Sequence, residues 1–274
     1  MEHAESILPA GKKWKLVWND EFDGDALDTT KWEYRLHLLQ KRHNTFTDEG
    51  LTIKDSCVYL NLIEKDGQFY SQHLQTGYNF LDRPGKTCCF SGNSGKFVWP
   101  ISKLREHKFL HKYGYYECRA KLQQKPGWWS AFWLQSPITG CCLDPKLAGV
   151  EVDIMENFER DNTITHVNHW DGCGDDHKSI ASKRFDIGHT PDEFHLFGCE
   201  WAKDGYTFFV DGKQTFHVDG PVSEQKQFIL VSTECMGYRT SDNPDPRLKD
   251  SVPDAFVVDF VRVYDAVRTQ RRRE

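Results

Sequence analysis

The stretch Gly149-Val150-Glu151-Val152-Asp153-Ile154-Met155-Glu156-Asn157 predicts an acidic β-strand. Glu151 and Asp153 are two positions apart, so they share one face of a strand, and the residues between and after them turn to the opposite, apolar face. A regular strand would bring Met155 to the acidic face next. A bulge of one residue at Ile154–Met155 would instead return Glu156 to that face, and bulges often re-aim side chains beside active sites. The stretch therefore predicts three carboxyl groups on one surface of a sheet.

Three carboxyl groups in a row suit the hydrolysis of a glycosidic bond. This chemistry needs one ionised carboxylate that attacks the anomeric carbon and one carboxylic acid that protonates the leaving oxygen. With the bulge, about four strand steps, or roughly 13 Å, separate the backbones of Glu151 and Glu156, and inward-leaning side chains would shorten the carboxyl gap. That spacing is compatible with the gap of about 5–5.5 Å in retaining glycosidases, against about 6.5–9.5 Å in inverting ones. Asp153, in the middle, could hydrogen-bond one glutamate and tune it.

Two other interpretations of the acids stay open. An acidic strand face is often only solvated, and three carboxylates could hold Ca²⁺ or Mg²⁺. The apolar opposite face and a Trp-rich strand shortly before the acids favour catalysis. A catalytic metal site would also usually draw its ligands from several elements.

Short strands separated by turn residues run through almost the whole chain. Runs such as Tyr113–Leu122 and Gln227–Thr233 are rich in β-branched and aromatic residues and are bounded by turn-forming residues. Asp211-Gly212, between two such runs, is typical of a hairpin. These signals predict an all-β sandwich. We see neither a repeat nor a low-complexity linker, so we predict one catalytic domain over residues 1–274, with frayed ends at 1–12 and 267–274.

Composition narrows the partners and the compartment. The net charge of −6 argues against nucleic acid as the main partner, because phosphate binding needs a basic face. No run approaches the roughly 20 apolar residues of a membrane helix, and we expect a monomer. Residues 1–16 lack the apolar core of a signal peptide. Since polymer-degrading enzymes are usually exported, we expect a secreted or periplasmic protein whose signal is absent from this chain, and a cytoplasmic one stays open.

A disulfide between the Cys88–Cys89 and Cys141–Cys142 segments also stays open.

Aromatic residues alternate along the strand that precedes the acids. Trp129, Ala131 and Trp133 fall on one face, and Trp128 and Phe132 fall on the other. Two indoles on one side of a strand suit stacking against the apolar faces of sugar rings. Core packing is the alternative for this face.

Several segments together make the chain similar to glycoside hydrolase family 16. The acids follow the bulged pattern E-x-D-x-x-E of that family. The other segments that carry the resemblance are Trp18–Gly24, Tyr113–Lys121, Gly127–Leu134, Phe194–Trp201, Val210–Gly212 and Val258–Tyr264. They span nearly the whole chain.

The resemblance implies a concanavalin-like β-jelly-roll sandwich with a concave substrate cleft. It implies Glu151 as nucleophile, Glu156 as general acid/base and Asp153 as the assisting residue of a retaining double displacement. Trp129 and Trp133 would bind sugar, and His169, on the following strand, would contact the sugar or the acids. No cofactor is required. Some members hold a structural calcium ion, which here could lie near Asp259 and the Asp20–Asp23 region.

The resemblance leaves the polysaccharide open. The bulged motif is shared by β-1,3-glucanases and marine galactanases and points away from the unbulged licheninases. The two indoles resemble the pattern of β-1,3-glucanases and favour an endo-β-1,3-glucanase of the laminarinase type. Against this, Ser130 stands where those enzymes typically carry Pro, and residues 43–47 lack their N-N-E-x-Q-x-Y stretch. An endo-β-galactanase acting on agar, porphyran, carrageenan or mucin-type chains is the alternative, and a sulfated substrate could use Arg83, Lys86 or Arg239. A non-catalytic lectin on the same sandwich is a further alternative.

Overall fold

The computed structural model describes residues 3–39, 41–82, 86–89, 98–101, 106–158, 163–172, 174–188, 193–241 and 243–267. For residues 86–89, 98–101 and 239–240 it describes the backbone alone. Arg83 and the side chains of Lys86 and Arg239, suggested for sulfate binding, lie outside these residues. The strands are β1 Lys13–Asp20, β2 Glu33–Tyr34, β3 His37–Leu38, β4 Lys41–Arg42, β5 Thr52–Lys54, β6 Cys57–Asn61, β7 Ile63–Lys65, β8 Gln68–Tyr70, β9 His73–Gln75, β10 Lys86–Cys89, β11 Val98–Ile101, β12 Gly114–Lys121, β13 Trp128–Gln135, β14 Glu151–Asn157, β15 Thr163–Trp170, β16 Lys178–Ala181, β17 Phe185–Asp186, β18 His195–Trp201, β19 Tyr206–Val210, β20 Lys213–Val218, β21 Phe228–Cys235 and β22 Ala255–Val267. The short helices are α1 Pro145–Ala148 and α2 Tyr238–Ser241, and 3₁₀ turns lie at Phe80–Asp82 and Pro246–Asp250.

Two large antiparallel sheets carry most of these strands. The cleft sheet has the order β16-β15-β14-β13-β21-β9-β2, with β17 paired to β15. The outer sheet has the order β20-β19-β18-β12-β22-β6-β5, with β1 paired to β22. The predicted all-β sandwich is therefore confirmed.

One apolar core fills the space between the sheets. The cleft sheet contributes Val152, Ile154 and Phe132, and the outer sheet contributes Cys118 and Phe208, all fully buried. Burying a large apolar side chain stabilises a fold by about 1.5–3 kcal/mol. The alternation of apolar residues on each strand thus fixes which face of each sheet turns inward and which can carry chemistry.

The amino-terminal segment packs along the outer sheet. Ser6 Oγ lies 2.6 Å from the Tyr264 hydroxyl, and the Ile7 amide donates to the Glu117 carboxylate at 3.2 Å. Glu117 is fully buried and needs such donors. These contacts, with that of His3 to Asp259, join residues 3–7 to the outer sheet, and the frayed ends at 1–12 and 267–274 stay a prediction. Residues 268–274 lie outside the described part of the chain.

Two further predictions from the sequence concern a disulfide and a membrane-spanning helix. Cys141 and Cys142 carry free, exposed thiols, whereas the side chains of Cys88 and Cys89 lie outside the described residues. Within the described ranges, the structure has no helix with the length and apolar character needed to cross a bilayer.

Candidate active site

A bulge in β14 brings the acids to one face. Against β13, Met155 lies opposite Phe132 and Asp153 lies opposite Trp133, so that Ile154 is the extra residue. Ile154 and Met155 are both fully buried in the core between the sheets. Glu156 consequently lies on the cleft side with Glu151 and Asp153, as the sequence predicts.

The acids lie in an elongated cleft of about 580 Å³ on the cleft sheet. Residues from β9, β13, β14, β15 and β21 and from the 79–82 and 139–140 loops line it. They include Arg35, His73, Asp82, Trp129, Trp133, Gln135, Glu151, Asp153, Glu156, Phe158, His169, Trp170, His177, Ser232 and Glu234. The volume is typical of a site for a small part of a larger ligand.

Asp153 is the buried member of the acid row. Burial raises its pKa well above the usual range, and the charges of Glu156 and Glu151 raise it further. Like charges this close cannot all ionise without a large free-energy cost. Burial and the neighbouring charges therefore favour the protonated form of Asp153, which can donate a hydrogen bond.

His169 contacts Asp153 and continues to a second imidazole. Its Nε2 lies 3.3 Å from Asp153 Oδ2, and its Nδ1 lies 2.9 Å from His177 Nε2. Burial lowers the pKa of His169 to about 4, and His177 lowers it further. The raised pKa of Asp153 and the lowered pKa of His169 both favour the neutral forms at this contact. His177, on the loop before β16, was not predicted from the sequence.

Gln135 is a second residue that sequence reasoning missed. Its Nε2 donates to Glu151 Oε2 at 2.6 Å, and its side chain is 7% exposed. The donation stabilises the ionised carboxylate and fixes its orientation. The signal was present, because Gln135 continues the face that carries Trp129, Ala131 and Trp133.

The two predicted platform indoles both face the cleft, whereas Trp128 and Phe132 are fully buried on the other side. Trp133 Nε1 donates to Ser232 Oγ at 2.9 Å, and the Arg35 guanidinium lies 5.2 Å from the ring centroid. Trp129 is more exposed and is tilted against Phe158 at 5.6 Å. Sugar binding by these indoles stays a prediction.

Two places could be considered for a cation. Glu151, Asp153 and His169 offer ligand atoms that lie within 4.8 Å of one another. The raised pKa of Asp153 and the amide donor on Glu151 favour acid–base chemistry over a metal there. Asp259, suggested for calcium, contacts His3 Nδ1 at 2.6 Å and Arg119 at 2.5 Å. These partners are donors, not the oxygen ligands that calcium requires, and we do not propose a calcium ion at this site.

A cleft that combines an acid row with flanking indoles on an antiparallel sandwich defines the class of glycoside hydrolases. The chain belongs to this class through one family in particular. The model of "Glycosyl hydrolases family 16" matches residues 100–236, half of the chain, and the chain is a member of that family.

Relatives and solved structures agree with this assignment. Glucan endo-1,3-beta-glucosidase A1 of Niallia circulans is 26% identical over 93% of this chain, which spans only 38% of that protein's length. Beta-porphyranase E of Zobellia galactanivorans is 26% identical over 93% of this chain and 89% of its own length. The crystal structure of laminarinase from Flavobacterium sp. UMI-01 superposes with a TM-score of 0.68 at 22% identity, covering 92% of this chain and all of that one. The predicted jelly-roll fold is confirmed.

Proposed function

We propose that the chain is a retaining endo-β-1,3-glucanase in which Glu151 is the nucleophile and Glu156 is the general acid/base. The observation that carries this proposal is the bulge at Ile154, because it brings Glu156 into the same cleft as Glu151. Both residues come from one strand, so the sheet holds them in a fixed relation.

In the first step, Glu156 donates its proton to the glycosidic oxygen while the carboxylate of Glu151 attacks the anomeric carbon. The carbon–oxygen bond to the leaving sugar breaks, the leaving sugar departs as an alcohol, and a glycosyl ester forms on Glu151. Gln135 holds Glu151 Oε2, so the other oxygen is the one presented to the sugar. Protonated Asp153 supplies a hydrogen-bond donor between the two glutamates without adding a third charge.

In the second step, Glu156, now a carboxylate, removes a proton from water. The water oxygen attacks the anomeric carbon, the ester bond breaks, and Glu151 is released as a carboxylate. Two inversions return the product to the β configuration.

The charge of the cleft supports an uncharged substrate. Arg35 is the permanent cation among the described cleft residues, and it is bonded to Asp82 at 2.5 Å and buried. Acidic side chains are more numerous along the same surface. An anionic polymer would be repelled, whereas a neutral glucan would meet no electrostatic barrier.

An endo-β-galactanase is the second candidate. The observation in its favour is the match to β-porphyranase E, which is as identical to this chain as the glucanase of Niallia circulans is. The same cleft charge favours an uncharged galactan over a sulfated one.

A reducing-end assay on laminarin, lichenan, agarose, porphyran and carrageenan tests both candidates, with Glu151→Gln and Glu156→Gln as matched inactive controls. We expect laminarin to be cut, with a rapid fall in viscosity and oligosaccharide products that mark endo action. Cleavage of agarose or porphyran alone would instead support the galactanase. If every polymer stays intact while one still binds, the protein is a lectin and the proposal is wrong.

We also infer that the protein acts outside the cytoplasm, since polysaccharides of this kind are too large to enter cells before they are cut. Fractionation of the native host with an antibody against this chain tests the inference. Protein found with cytoplasmic markers alone would contradict it.

A further inference from the structure

A buried imidazole lies directly behind the bulge. His166 belongs to β15 and is fully buried on the core side of the cleft sheet. Along the pairing of β14 with β15, Asp153 lies opposite Val167 and Glu156 lies opposite Thr165. His166 is therefore the residue of β15 that lies opposite both Ile154 and Met155.

The ring of His166 bonds the backbone of the bulge. Its Nδ1 lies 2.6 Å from the carbonyl oxygen of Ile154. A bulge disrupts the ladder of backbone hydrogen bonds and leaves the extra residue without its regular partner. A buried carbonyl in that position needs a donor from elsewhere, and the imidazole supplies one.

The hydrogen bonds determine the tautomer of His166. A carbonyl oxygen can only accept, so Nδ1 carries the proton. Burial lowers the pKa of His166 to about 4, so the ring is neutral and Nε2 is an acceptor. The Thr215 hydroxyl lies 2.9 Å from Nε2 and 3.2 Å from the Phe208 carbonyl oxygen, and its single proton can be donated to either acceptor.

The same ring is fixed by packing against the other sheet. It stacks on Phe208 at 4.8 Å with an interplanar angle of 24°, and Phe185 lies 5.3 Å away. Phe208 and Thr215 belong to β19 and β20 of the outer sheet. His166 therefore connects the bulge to a rigid layer on the far side of the core.

We propose that His166 is a positioning residue that holds the Ile154 bulge and thereby keeps Glu156 aimed into the cleft. The inference rests on the proposed function of Glu156 as acid/base. Without the imidazole, β14 can relax towards regular pairing, which would turn Glu156 away from the face that it shares with Glu151.

The test compares His166→Leu, which removes the donor, with His166→Asn, whose amide nitrogen can take the place of Nδ1. Phe256→Leu is the matched control, because Phe256 is fully buried in the same core and no ring contact between it and His166 is found among the described residues. Rates are measured per folded protein on the polysaccharide cut by the wild type, and on an aryl oligosaccharide with a leaving group that needs no protonation, with and without azide.

We expect His166→Leu to lose about 10²-fold in kcat on the polysaccharide, the scale of general acid–base catalysis. It should form the glycosyl-enzyme from the aryl substrate at nearly the wild-type rate, and azide should accelerate its turnover by replacing the water that Glu156 can no longer activate. His166→Asn should recover most of the loss, and Phe256→Leu should show no azide effect.

Thr215→Val provides a second route if His166→Leu does not fold, since Thr215 lies exposed on an edge strand. It removes the hydroxyl that lies against Nε2, and we expect a smaller loss with the same azide response. Equal losses on both substrates without azide rescue, or wild-type rates in the His166 variants, would overturn the inference. If the wild type itself cuts no polysaccharide, the proposed function fails instead.

Discussion

The acid row of the cleft sheet and two acids beside the outer sheet have opposite kinds of partner. Beside the outer sheet, Glu21 bonds Arg262 through two contacts of 2.8 and 2.7 Å, and Asp259 bonds Arg119. In the acid row, the described partners include an amide, Gln135 on Glu151, and an imidazole, His169 beside Asp153. The same residue type therefore serves two purposes in one fold.

The pKa shifts follow from these partners. Burial opposes the ionisation of Glu21, but the hydrogen bond and charge of Arg262 outweigh it and lower the pKa of the carboxyl. Burial raises the pKa of Asp153, and the neighbouring glutamates add to the rise. A paired cation makes an acid structural, whereas other acids and neutral donors leave it available for proton transfer.

The largest expected effect is on kcat, which should fall when an acid of the cleft is replaced and stay unchanged when an acid of the outer sheet is replaced. Glu151→Gln and Glu156→Gln should each lower kcat by about 10³-fold or more, because either change removes a reacting group. Asp259→Asn should leave the rate per folded molecule unchanged. Steady-state kinetics on the polysaccharide checks this, and a similar loss in the Asp259 variant would erase the distinction between the sheets.

Removing the cation that pairs with an outer-sheet acid should lower the stability of the protein and leave its activity unchanged. Arg262→Met leaves Glu21 partly buried without its cation, and we expect a loss of about 2–3 kcal/mol in the free energy of unfolding. Urea denaturation measures it, with Lys203→Met, an exposed lysine, as the control. Loss of turnover in the folded Arg262 variant would contradict a purely structural role.

The contributions of His166, in the cleft sheet, and of His3, beside the outer sheet, to the free energy of unfolding should change in opposite directions as the pH falls. The lowered pKa of His166 means that the unfolded chain binds its proton first, so stability present above about pH 6.5 is lost as the pH falls towards about 4. For His3, burial lowers the pKa but hydrogen bonds to Asp23 and Asp259 outweigh it and raise the value. Its contribution is full below about pH 6.5 and is lost as the pH rises through the folded pKa.

As the pH falls from 7 to 5, the protonation of His166 in the unfolded chain should lower the free energy of unfolding by about 2 kcal/mol. His166→Asn should flatten the dependence of unfolding free energy on pH, and His3→Gln should steepen it. Urea titrations of both variants at several pH values test the two signs. Parallel curves for the wild type and both variants would contradict the assignment.

Gln135→Leu sharpens the comparison on the cleft side. Removing the amide donor makes ionised Glu151 less stable, so the acid limb of kcat/KM should move to higher pH, with about a tenfold loss at neutral pH. Gln135→Glu, which adds a like charge, should move it further. An unchanged pH profile in Gln135→Leu would show that the amide is only a packing element.

Local patterns in the sequence predicted much of this arrangement. The parity of Glu156 implied the bulge, and the alternation after Gly127 placed Trp129 and Trp133 in the cleft. Arg35, Asp82 and Glu234 were missed because they come from segments whose distance from β14 depends on how non-consecutive strands pair, as β13 does with β21. His177 was missed although β14, β15 and β16 pair in chain order, because it lies outside the strands, where alternation assigns no face. The contacts of the amino-terminal segment were missed for a related reason, since its partners Glu117 and Tyr264 lie more than 100 residues away in the chain.

Covalent trapping tests the central claim most directly. The wild type is incubated with an activated 2-deoxy-2-fluoro-β-glycoside of the sugar that it cuts, and the labelled peptide is mapped by mass spectrometry. We predict a single label on Glu151, formed at a reduced rate with Gln135→Leu. A label on Glu156, or a product of inverted configuration with no trapped intermediate, would contradict the account.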